Sequence, residues 1–322
     1  MDAQLSLTGI NRERIADLIH RNECGIENEY SFCATFQMAR IAVVTFKTIL
    51  TVAGPESSCE GDLKLAADLC EQAEAHLSVL VMTLAAPPPI GEYAAVVSDS
   101  WLQEREADLK HLNARKAEIS TFVAGSAVSG NVVSEYPEAG WAEEMVGRRA
   151  RYADLTLAGP ELLKTETLKE KVIEGALFWS GKPLLLVPEG ARPTLGPKRV
   201  LVAWDTKIEA TRAVREALEL LAAADEVRLA IVDPVEGTRS HGEEPGADVA
   251  TFLARHGAKV IVDRLPSETH SVADVLRRHA VDTDAQMLVM GAYGHSRLRE
   301  RIFGGVTRSM LENSPIPVFL AR

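Results

Sequence analysis

Residues 287–308 read MLVMGAYGHSRLRERIFGGVTR. The short apolar run 287–290 stops at Gly291. A loop follows, with Gly294, arginines at 297, 299 and 301, and the pair Gly304-Gly305 ahead of a helix-like segment. The order is strand, glycine loop, helix. A polyphosphate needs that order, because backbone N–H groups reach its oxygens only where no Cβ stands in the way. The free N–H groups and positive dipole end of a helix N-terminus then complete the anion site. The spacing, Gly291-x2-Gly294-x9-Gly304-Gly305, is neither the GxxxxGK[ST] loop nor the GxGxxG dinucleotide fingerprint.

Outward from this motif the chain alternates. Residues 199–204, 227–234, 259–263, 287–290 and 316–321 are apolar runs of strand length, with helical patterns at 208–223, up to 256, 269–279 and 305–313. The same programme precedes it. Strands are expected at 47–52, 76–84, 131–134, 154–159 and 183–187, and helices at 62–75, 102–122, 141–150 and 167–179. Between the halves, PEGARPTLGPK (188–198) has the proline and glycine content of a linker. Short apolar strands separated by helices indicate a parallel sheet covered on both faces. Each half shows five strands and four helices, so two copies of one fold are expected. The domains are 46–188 and 198–322, with a linker at 189–197 and an N-terminal extension at 1–45 that fits neither pattern.

The repeat holds residue against residue. FKTILTVAG (46–54) aligns with PKRVLVAWD (197–205), KPLLLV (182–187) with IPVFLA (316–321), and DLTLAG with QMLVMG, which sets Gly159 opposite Gly291. Leu162 then stands at the place of Gly294, Glu170 and Lys171 at those of Gly304 and Gly305, and Gly54 at that of Asp205. A glutamate at the mouth of that helix would repel phosphate, and leucine would block backbone approach. The first half is not expected to bind a nucleotide in this way.

Residues 46–322 resemble the universal stress protein family in its tandem, two-domain form. Nucleotide-binding members of that family carry G-x2-G-x9-G followed by Ser or Thr; here three glycines are present and Gly305 stands where the hydroxyl residue belongs. The resemblance implies an α/β fold of two tandem open parallel five-stranded sheets, order 3-2-1-4-5, with helices on both faces. A ligand in such a sheet belongs at the carboxyl ends of strands 1 and 4, where the order reverses. The resemblance further implies that Asp205 contacts ribose or adenine and that Ile231 packs on the base. Met290, Gly291, Tyr293 and Gly294 would wrap ribose and phosphate, and Gly304, Gly305, Val306 and Thr307 would hold the phosphates of ATP, with Mg2+.

Each of these residues also bears a purely structural reading. Asp205 is a fitting cap or turn residue before a helix. Gly291 and Gly304-Gly305 suit tight turns and close strand-to-helix packing. Thr307 is either a helix-face residue or the supplier of the hydroxyl that Gly305 lacks, and Trp204 belongs in the core. His270, His279 and His295 lack ligand spacing, and no metal site is expected.

At 322 residues, 46% hydrophobic and 25% charged, the chain has the composition of a globular protein. A net charge of −11 argues against a nucleic-acid partner, although Arg297, Arg299, Arg301 and Arg308 form a basic island where phosphates would sit. No apolar run reaches the length of a membrane span, and a cytoplasmic protein is expected. Cys24, Cys33, Cys59 and Cys70 show no CxxC spacing and read as reduced thiols. Phosphoryl transfer needs a metal-holding carboxylate and a residue that positions the nucleophile; the sequence supplies no such pair and allows at most slow ATP hydrolysis. Two functions fit: a stress-response protein that binds ATP in its second half as a sensor, or an interaction and oligomerisation module without ligand, docking an unknown protein partner. The apolar last strand should not be left as an open edge, and the resemblance implies that the equivalent strands of the two domains pair, with 183–187 beside 316–321 within one chain. Homodimerisation beyond that pairing stays open.

Overall fold

The computed structural model describes residues 46–55, 60–87, 99–234, 244–293 and 305–322. The expected extension, 1–45, lies outside them. Five strands form the first half of the sheet: β1 (Thr48–Ala53), β2 (His76–Met82), β3 (Gly130–Glu135), β4 (Leu155–Ala158) and β5 (Leu184–Leu186). Five form the second: β6 (Arg199–Ala203), β7 (Glu226–Val232), β8 (Val260–Leu265), β9 (Met287–Gly291) and β10 (Val318–Ala321). The expected sheets are joined. One ten-stranded sheet runs β3-β2-β1-β4-β5-β10-β9-β6-β7-β8, so each half keeps the order 3-2-1-4-5 and the second is the first turned about the β5–β10 seam.

The seam is antiparallel, with Val318 opposite Leu186, Phe319 opposite Leu185 and Leu320 opposite Leu184. Every other pairing of named strands is parallel. The reason lies in the side chains. Phe319, Leu184 and Leu185 are wholly buried, and at roughly 1.5–3 kcal/mol per large apolar side chain neither edge could face water cheaply.

Helices cover both faces. On one lie α1 (Glu60–Ala73), α2 (Asp99–Gly125), α6 (Ile208–Glu216), α7 (Leu218–Ala223) and α8 (Ala247–Arg255), around a core with Ile49, Leu77, Val202, Ile231 and Phe319. On the other lie α3 (Ala142–Ala150), α4 (Pro160–Lys164), α5 (Thr167–Glu174), α9 (Val272–Asp282) and α10 (Gly305–Asn313), around Leu50, Leu80, Leu201, Ala230 and Leu320. Alternate residues of each strand enter opposite cores, as the two-residue period of a strand requires.

Three details depart from the expected elements. The helix expected over 208–223 is interrupted at Ala217. The one expected over 167–179 passes at Glu174 into a π-helical turn, Gly175–Ser180, closed by Gly181 in the left-handed region at φ 73°. A further short helix, α4, starts directly after Gly159 with proline at its first turn, where a missing N–H costs nothing. Among the described residues no helix is long and apolar enough to cross a membrane.

Candidate functional site

The strand order reverses at β6, which is flanked by β7 on one side and β9 on the other. Above the carboxyl ends of these strands lies a crevice of about 370 Å3, lined by Trp204 and Asp205 after β6, Lys207 and Glu209 at the start of α6, and Gly291 and Tyr293 after β9. Gly305, Val306 and Thr307, the first turn of α10, close it. Its floor is apolar, made by Ala203, Ala230, Val232, Met290 and, from α9, Val272 and Leu276.

Seven of the expected site residues therefore meet around one opening: Asp205, Met290, Gly291, Tyr293, Gly305, Val306 and Thr307. Gly294 and Gly304 lie outside the described residues, as do Arg297, Arg299 and Arg301. Ile231 is not at the crevice. It is wholly buried in the opposite core, facing the start of α8, where a Cβ on Gly246 would come within 2.7 Å of its Cδ1. Its neighbours Ala230 and Val232 line the opening instead, since a shift of one residue along a strand exchanges the faces.

Asp205, Thr307 and Arg308 each have a definite partner. Asp205 caps its own turn: Oδ1 accepts from the Lys207 backbone N–H at 3.2 Å, while the Lys207 ammonium lies 2.9 Å from Oδ2. Both side chains are about half exposed, so this is a solvated pair. Thr307 is buried, and its hydroxyl accepts from the Tyr293 backbone N–H at 3.4 Å, tying the end of β9 to α10. Tyr293 holds a left-handed backbone, φ 60°, with its ring 5% exposed; burial pushes its phenol well above the ordinary range, so it stays neutral. Arg308 is exposed and paired with Glu312 at 2.8 Å, one helical turn on.

The two glycines differ in purpose. A Cβ on Gly291 would lie 2.4 Å from the Ala210 backbone nitrogen and 2.5 Å from the Glu209 carbonyl carbon, so this glycine lets α6 sit on the end of β9. A Cβ on Gly305 would meet nothing within 4 Å among the described residues. Its want of a hydroxyl is a matter of chemistry, not space.

In the first half the corresponding opening is filled from within. Asp62, in the first turn of α1 and 3% exposed, packs into the space that Gly159 leaves; a Cβ there would fall 2.3 Å from its carboxylate. Its two oxygens accept from the backbone N–H groups of Glu161, at 3.1 Å, and Leu162, at 2.8 Å. The Glu161 carboxylate accepts in return from the Asp62 N–H at 3.2 Å. Two helix starts thus cap each other. Burial raises the Asp62 carboxyl above its ordinary value, against the two N–H bonds that lower it. Leu162, 1% exposed, fills the neighbouring space. At the third residue of α6, where α1 has Asp62, the second half has Ala210. Among the described residues, the position a carboxylate fills in one half is left without one in the other.

Sequence reasoning missed Lys207, Glu209, Ala230, Val232, Val272 and Leu276. The strand period could have moved the choice from Ile231 to its neighbours; the acid in the first turn of α1 was the available sign of the internal cap.

Residues 196–322 match the model of the Universal stress protein family. The second half of the chain is a universal stress protein domain. No curated protein matches the chain. Among solved structures, a universal stress protein from Archaeoglobus fulgidus DSM 4304 is similar at 16% identity and TM-score 0.62, over 85% of this chain and 96% of that one. A putative universal stress protein from Pseudomonas aeruginosa UCBPP-PA14 is similar at 18% identity over 87% of this chain and 94% of that one, with TM-score 0.49. A universal stress protein in complex with cAMP matches at 18% identity over 39% of this chain and 98% of that one, with TM-score 0.32. The Archaeoglobus likeness is one of fold, and it extends well beyond the universal stress protein domain into the first half.

Proposed function

We propose that the crevice of the universal stress protein domain binds an adenine nucleotide, ATP with Mg2+, and that the chain serves as a cytoplasmic stress-response sensor. The observation that carries this reading is the contrast between halves. The first half seats its own carboxylate, Asp62, at the backbone N–H groups after β4, whereas in the second half, among the described residues, Ala210 stands at the place of that carboxylate and Tyr293 donates its N–H to Thr307 beside the crevice. An apolar floor suits a planar base, Asp205 suits a ribose hydroxyl, and the free N–H groups at the start of α10 suit phosphate. A volume near 370 Å3 falls in the range of small-molecule sites. Among the described residues no group of three acidic, histidine or cysteine side chains could hold a metal, so Mg2+ would arrive on the phosphates.

The test is calorimetric titration of the full chain with MgATP, after removal of any copurifying nucleotide. About one equivalent per chain is expected. Asp205→Ala should weaken binding roughly tenfold or more, the worth of a hydrogen bond to a charged group. Absence of binding in the stripped wild type would favour the second reading, an interaction module without ligand, for which Gly305 in place of a hydroxyl residue speaks.

A further inference from the structure

Tyr293 is held from two sides. Its N–H reaches Thr307 in its own half; its ring lies against Phe178, in the π-helical turn of the other half, with centroids 4.9 Å apart and planes tilted by 42°. The guanidinium of Arg322 sits 4.0 Å from the centre of the same Phe178 ring. The ring that meets the crevice wall from behind thus belongs to the half whose own crevice is filled.

The π turn is a firm base for that contact. A Cβ on Gly175 would lie 2.6 Å from the Glu143 carbonyl oxygen, and one on Gly147 would lie 2.2 Å from the Trp179 Cβ, so the turn and α3 meet backbone to backbone. Widening the helix by one residue per turn also shifts the direction of every later side chain relative to α5. That shift falls just before Phe178. Left-handed backbone at a bulky residue persists only where its surroundings impose it. At Tyr293 the surroundings include Thr307 on one side and Phe178 on the other.

We infer that Phe178 is a positioning residue for the ligand crevice: by fixing the Tyr293 ring it holds the start of the loop between β9 and α10 in the geometry that receives ligand. The inference rests on the nucleotide reading for its ligand, while its structural core is independent of it. The first half then has a task at the site without binding anything itself.

Phe178→Leu keeps most of the apolar volume of this half-buried side chain and removes the ring, with its contacts to Tyr293 and Arg322. Two measurements on the full chain decide the matter: MgATP affinity by calorimetry, and amide hydrogen exchange of the 291–293 backbone without nucleotide. The leucine variant is expected to bind roughly three- to tenfold more weakly, the range set by loss of one aromatic pair. Its 291–293 amides should exchange faster while the global unfolding midpoint stays near that of the wild type, and Phe178→Tyr should restore both readouts. Wild-type exchange at 291–293 in the folded leucine variant would overturn the inference, and so would unchanged affinity where the wild type binds. If the wild type binds no nucleotide, the functional reading falls, and exchange alone decides the positioning role.

Discussion

Gly291 and Gly305 belong to one glycine pattern, yet a β-carbon at each meets opposite surroundings. Gly291→Ala would drive Cβ into the backbone of α6, which can yield only by moving a helix; a loss of about 1–3 kcal/mol in denaturant unfolding is expected. Gly305→Ser meets no described residue within 4 Å of its Cβ at the first residue of α10 and should leave stability within about 0.5 kcal/mol. It would also restore a hydroxyl at the helix start, and MgATP should bind more tightly to this variant than to the wild type. Equal affinity would mean that the hydroxyl has no part in binding. At this scale the sequence was half legible. The spacing of glycines located the crevice, but the same letter stood for helix packing at Gly291 and for no steric need at Gly305. Only three-dimensional neighbours separate the two. Ile231 shows the same limit: an apolar strand buried on both faces carries no alternation to say which residue looks toward the ligand.

Between elements, the decisive contact is the mutual capping of α1 and α4 by Asp62 and Glu161. Asp62→Ala would leave two buried N–H groups without their acceptor, and a loss of about 1–3 kcal/mol is expected. The pH dependence separates charge from shape. Because burial raises the folded-state pKa above 3.8, folding takes up a proton between the unfolded and folded values. The stability of the wild type relative to Asp62→Asn should therefore be greatest below pH 3.8 and should fall as pH rises through the raised value. Chemical denaturation of both proteins across the acid range measures it. A flat difference would mean that Asp62 titrates alike in both states. The alternation of strands and helices could be read from hydrophobic period alone, whereas the pairing of residues 183–187 with 316–321 came from the family resemblance. The break at Ala217 and the π turn at Gly175 could not, because alanine and glycine there answer to packing partners far away in sequence.

For the molecule as a whole, the seam between β5 and β10 is what makes ten strands one sheet. Residues 198–322 made alone would present β10, with Phe319 and Leu320, as an open edge. The antiparallel geometry of the seam suits pairing with a second copy, so this fragment should be dimeric by light scattering while the full chain gains no partner at that edge. A monomeric, folded fragment would show that the edge is blunted in some other way.

The internal carboxylate also bears on how the chain could respond to a signal. The seam is antiparallel, so the strand ends that carry the two corresponding sites lie at opposite ends of the sheet; two equivalent sites in one molecule can be coupled, one occupant changing the affinity of the next. Asp62 takes the place of one occupant permanently. For the monomeric chain, a small molecule that enters only the crevice described in the second half would fill it along a simple hyperbola, with a Hill coefficient of about one, so occupancy would follow concentration gradually. On the proposed reading, such a chain would follow a level and set no threshold.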